Sequence, residues 1–121
     1  MTIIVKNKDT LMYDEFSFKC CIGKNGFTKK KIEGDKKTPK GTFSLGNIFY
    51  RQDRKAKPLS KLKPLVIKKN MAWCNDTNSK KNYNKLIKIS SILKHEKLFR
   101  KDYKYDYLIP IKYNWFNVKI G

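Results

Sequence analysis

Four side chains in this sequence belong to the two types that make a cysteine–histidine acyl-transfer pair: Cys20, Cys21, Cys74 and the single histidine, His95. A cysteine attacks an acyl carbon well only when a base within hydrogen-bond reach takes its proton and donors wait for the oxyanion. An odd count of cysteines with no Cys-x-x-Cys spacing fits neither a disulfide framework nor a tetrahedral zinc site. Any Cys/His pair would depend on His95, and nothing in the spacing brings His95 to Cys74. The sequence therefore assigns no catalytic role to these four residues. Cys20 reads as a small buried hydrophobe, Cys21 as a surface thiol, and His95 as an ordinary residue of a polar loop or short helix.

The elements that would hold such residues are mostly strands. Ile3 to Lys6 is a short β-branched run. Phe16, Phe18, Cys20 and Ile22 alternate with Ser17, Lys19 and Cys21, the period of two that predicts one face turned to a core. Gly23 and Gly26 close this strand in a tight turn. The polar loop Glu33 to Gly41 follows. Arg54 to Lys63 reads as an exposed connection, Leu65 to Ile67 as a short strand, and Tyr83 to Ile89 as an alternating one. Ser90 to Phe99 has a serine cap and apolar residues three to four apart, which predicts one or two helical turns. In Tyr105 to Tyr113, Pro110 should sit at an edge or bulge. The fold class is mainly β, a single domain of sandwich or barrel type with at most one or two short helices.

The formal net charge of +19 raises the question of nucleic acid. Arg51, Arg54 and Arg100 are the only arginines, so 26 of the 29 basic residues are lysines. Surfaces that read bases or fork phosphates favour arginine for its planar, bidentate geometry. The excess of lysine, asparagine and isoleucine is the composition AT-rich codons produce. The charge therefore reads as a solvated lysine coat rather than a nucleic-acid surface, although it would attract anionic polymers non-specifically. No stretch reaches the roughly 18 apolar residues that cross a bilayer. The first residues lack the basic and apolar runs of a signal peptide.

Two motifs carry a resemblance. Cys21-Ile22-Gly23-Lys24-Asn25-Gly26 is followed by Lys31-Ile32-Glu33-Gly34-Asp35-Lys36-Lys37-Thr38-Pro39-Lys40-Gly41-Thr42-Phe43. Together they resemble the L,D-transpeptidase (YkuD-type) family, whose domains carry a Lys-x-Glu-Gly-Asp-x-x-Thr-Pro-x-Gly-x-Phe loop after such a turn. Trp73-Cys74-Asn75-Asp76, Tyr83-Asn84, Glu96-Lys97-Leu98, Asp102, Tyr105-Asp106 and Tyr113-Asn114 are similar to later family segments, in the family's order. The resemblance runs from about Leu11 to Gly121.

That resemblance implies peptidoglycan cross-linking in the periplasm or cell envelope. A cysteine attacks a tetrapeptide stem, D-alanine leaves, and the acyl group passes to another stem, with no metal or nucleotide cofactor. In the family, a Gly-Ser-x-Ile-Phe-x-His strand and a Ser/Thr-x-Gly-Cys segment do this chemistry. Neither occurs in the 121 residues, so the resemblance implies an incomplete domain, lacking its C-terminal strands and inactive alone. Trp73, Asn75, Asp76, Tyr83 and Asn84 are the substrate-groove candidates. Glu33, Gly34, Asp35, Thr38, Pro39 and Gly41 form a structural loop, in which Asp35 and Thr38 can bond backbone donors and Pro39 extends Thr38. Two alternatives stand beside this reading. One is a non-catalytic wall-binding module. The other is a small basic β-barrel that binds single-stranded nucleic acid through Tyr103, Tyr105 and Tyr107 on one strand face.

Overall fold

The structure is a computed structural model that describes residues 2–120. It is built from strands, with no helix among the described residues. Two compact units divide it, Met1–Gly41 and Thr42–Gly121.

The first unit opens with an antiparallel meander of β1 (Ile3–Val5), β2 (Thr10–Tyr13) and β3 (Phe16–Lys19). Ile3 pairs with Tyr13 and Tyr13 with Phe16; Val5 pairs with Leu11 and Leu11 with Phe18. Directly paired residues share a face, so these six form one apolar surface. Phe16 and Phe18, 6.5 Å apart between ring centroids, are 56% and 53% exposed, so the β3 edge of this face is open to solvent. The alternation predicted from Phe16 to Ile22 sets the pairing only as far as Lys19. Beyond it Cys20 is half-buried and Cys21 exposed.

Past this meander, β4 (Phe27–Thr28) and β5 (Thr38–Pro39) pair in parallel. Thr38 N donates to Gly26 O and Lys40 N to Thr28 O, each at 2.8 Å, which folds the polar loop back on the turn before it. Gly23 makes this approach possible. A Cβ there would lie 2.6 Å from Lys36 O, closer than packed atoms allow.

The second unit contains two three-stranded sheets. One has the order β11-β6-β7, with β6 (Ile48–Tyr50) central, β7 (Pro64–Val66) parallel to it and β11 (Tyr107–Leu108) antiparallel. The other is antiparallel and ordered β10-β8-β9: β8 (Met71–Cys74), β9 (Leu86–Lys88) and β10 (His95–Lys97). Phe49, Ile67 and Leu98 are its buried apolar cluster, with Leu65, Met71, Trp73 and Phe99 packed on them. Burying one such side chain stabilises a fold by about 1.5–3 kcal/mol.

The helical turns expected in Ser90–Phe99 do not form. Residues His95–Lys97 pair with β8 instead, and Leu98 enters the core at 2% exposure. Ten residues are too few for helical spacing to compete with a sheet partner and a core position. Pro110 lies just outside β11, where its missing N–H costs no ladder bond. The predicted strand from Tyr105 to Tyr113 is therefore short, continuing only as an isolated bridge between Leu45 and Ile111.

Candidate functional site

In the first unit the motif loop is built around Asp35. Its Oδ2 accepts from Ile32 N and its Oδ1 from Lys37 N, both at 2.9 Å, and the Lys31 ammonium pairs with Oδ1. Desolvation pushes the carboxyl up, but the Lys31 ammonium and the two amides outweigh it and hold it at about 2, against an ordinary 3.8. Gly34 takes a φ of 81°, where a side chain would be strained. Asn25 N donates to Lys36 O at 2.8 Å and Asn25 Nδ2 to Asp35 O at 2.9 Å. Thr38 Oγ1 accepts from Gly23 N at 2.7 Å, fastening the loop to the turn. The polar atoms of Asp35 and Thr38 are thus engaged within the loop itself.

The second unit holds a groove of about 600 Å³. Its more buried wall is apolar: Phe49 and Leu65, paired across β6 and β7, then Trp73 of β8 with Trp115 beside it. The two indoles lie 6.0 Å apart between centroids, tilted by 33°. Lys61, Lys63 and Lys85 are exposed along its sides and Lys112 is half-buried there. No aspartate or glutamate lines it.

Asn84 sets the shape of this groove. Its Oδ1 accepts from Trp73 Nε1 at 3.1 Å, while its Nδ2 donates to Tyr113 O at 3.2 Å and Asn114 O at 2.8 Å. One side chain thereby ties the β8–β9 hairpin to the chain segment that brings Trp115 onto Trp73. Its backbone is left-handed, φ 56°, a conformation asparagine tolerates better than most residues.

Among the five groove candidates read from the sequence, Trp73 and Asn84 line the groove, and Asn75, Asp76 and Tyr83 do not. Asp76 is 7% exposed and closes a turn: Asn78 N donates to Oδ1 at 2.9 Å and Lys94 N to Oδ2 at 3.1 Å. Those amides, Lys94 first, keep its carboxyl below the ordinary range. Tyr83 is a core residue at 6% exposure. Asn75 Oδ1 is buried with no hydrogen-bond partner among the described residues. Sequence reading missed Trp115 and the groove lysines. Trp115, one of only two tryptophans, was the available signal; the lysines carried none against 26 of their kind.

The spacing gave no reason to join Cys74 and His95, yet the sheet does so. His95 of β10 stands directly opposite Cys74 of β8. His95 Nδ1 donates to Leu93 O at 2.7 Å, which in the neutral ring places the proton on Nδ1 and leaves Nε2 as an acceptor. Cys74 is 0% exposed and does not line the groove. An acyl donor has no path to its sulfur. Residues Tyr103 and Tyr105 lie in turns rather than on a strand with Tyr107, so the tyrosine stripe of the nucleic-acid alternative does not form.

The chain matches no known family model, no curated protein and no solved structure. The described residues contain no cluster of three or more His, Cys, Asp or Glu able to hold a metal ion. No helix among them is long and apolar enough to cross a membrane.

Proposed function

We propose that this chain supplies the peptide-recognising part of an L,D-transpeptidase-type domain that acts on peptidoglycan stems. The observation that carries this reading is the Lys31–Phe43 motif, in register with the family pattern and folded as a closed loop around Asp35 and Thr38. The Trp73–Asn84 groove supports it by offering an apolar wall and polar sides to an extended peptide. Groove binding is the role of the residues present. Acyl transfer belongs to a Ser-x-Gly-Cys segment, which these residues do not include, and the buried Cys74 does not replace it.

The test is incubation of the protein with purified peptidoglycan sacculi, followed by sedimentation and intact-mass analysis. Co-sedimentation with no acyl adduct on Cys20, Cys21 or Cys74 is expected. Protein left in the supernatant would remove the reading, and a stem peptide on Cys74 would overturn the separation of binding from chemistry.

A further inference from the structure

The groove of the second unit has a charge that no Asp or Glu side chain among that unit's described residues neutralises. All five Asp and Glu side chains of the unit are already engaged. Asp53 is held by Arg51, Asp106 by Arg54, Asp102 by Arg100 and Glu96 by Lys104. Asp76 accepts from two backbone amides. Lys61, Lys63, Lys85 and Lys112 all line the one apolar groove and enter no ion pair among the described residues; the Lys85 ammonium donates only to Lys81 O, at 3.0 Å. Like charges gathered around a concave, low-dielectric wall concentrate a field that an anionic ligand relieves.

We infer that this groove selects its ligand by free carboxylates, binding a short, extended acidic peptide with its anionic groups at the lysines and its apolar parts on Phe49, Leu65 and the two tryptophans. That the ligand is a peptide rests on the transpeptidase-type reading; the demand for carboxylates rests on the groove alone. A single-stranded nucleic acid fits less well. Its bases need separate open ring faces, whereas Trp73 and Trp115 lie against each other and the Trp73 N–H is held by Asn84. All three arginines, the better phosphate forks, are bound to aspartates.

Both tryptophans of the chain line the groove, so indole emission reports its occupancy directly. The probes are a synthetic tetrapeptide with three free carboxylates, its fully amidated counterpart, and a short oligothymidylate of the same charge. The acidic peptide should bind about tenfold or more tightly than the amidated one at low salt, and the preference should shrink as salt screens it. In K63Q/K85Q, substituted at exposed positions and checked for fold by circular dichroism, the preference should fall to near unity. Equal affinity for the two peptides in the native protein would overturn the proposal, as would tighter binding of the oligothymidylate. A carboxylate preference in a protein that ignores sacculi would sustain the proposal and sink the transpeptidase-type reading; sacculus binding without the preference would do the reverse.

Discussion

The three arginines and the four groove lysines carry the same charge in this protein and are used in opposite ways. Around residues 51–54 and 99–106 the arginines are structural. Arg51, 3% exposed, forks Asp53 through two 2.8 Å bonds, reaches Arg100 O at 2.6 Å and lies 3.5 Å over the Phe99 ring. Arg54 gathers the carbonyls of Arg100, Lys101 and Asp102 as well as the Asp106 carboxylate. Those bonds close a loop some fifty residues away in sequence, replacing the regular pairing the loop lacks. Around the groove, by contrast, four lysines surround an apolar wall and bond no carboxylate of their unit. A planar fork can satisfy several fixed acceptors at once, while a flexible ammonium remains hydrated and available. The difference makes the first region architecture and leaves the second as the surface to which the ligand proposal above applies.

The largest effect should come from breaking the first region. R51A removes a buried cation, its aromatic contact and its hydrogen bonds, and should cost about 3 kcal/mol in urea unfolding, at the low end for a broken buried pair because Asp53 is half exposed and can hydrate. R51K should recover only part of that. A loss below about 0.5 kcal/mol, the size of an ordinary surface change, would show that the corner is not held as described.

Acid should act on the same region next. The Arg100 guanidinium and then the Lys104 amide hold Asp102 at about 2, against an ordinary 3.8, and Arg51 keeps Asp53 below the usual range. A carboxylate depressed in the folded state stabilises it above the unfolded value, and that contribution is lost as pH falls through the folded one. Tm should therefore hold steady from pH 7 to pH 5 and decline between about 4 and 2, less steeply in D102N. A Tm that rises on acidification in this window would reverse the sign and refute the assignment.

Neutralising the groove should matter least to stability. K61Q/K63Q should stay within about 0.5 kcal/mol of the native protein, since these exposed ammoniums hold no carboxylate. A clear destabilisation would make these lysines structural and erase the contrast with the arginines.

The sequence foretold part of this and not the rest, for identifiable reasons. The β class was legible because β-branched and alternating runs such as Ile3–Val5 and Leu86–Lys88 have the period of a strand. The Asp35 loop was legible because Gly, Asp, Thr and Pro act locally, within a few residues of themselves. Ser90–Phe99 was misread because its apolar spacing suits a helix, whereas its structure follows from pairing with β8, a long-range event. The meeting of His95 with Cys74 was hidden for the same reason. Phe16 and Phe18 alternate as core residues should, and yet lie exposed. Period fixes which residues share a face but not what covers it. In the groove, Trp73 and Asn84 were legible as polar and aromatic residues outside the apolar pattern. Trp115 enters only through the hydrogen bonds of Asn84 to residues 113 and 114.

The most direct measurement is a 15N NMR titration of the protein with the acidic tetrapeptide, following the two indole N–H signals and the Nε–H signals of Arg51 and Arg54. The indoles of Trp73 and Trp115 should both shift and saturate together while the arginine signals stay in place. Arginine signals that move while the indoles remain unchanged would contradict the division between a structural corner and a binding groove.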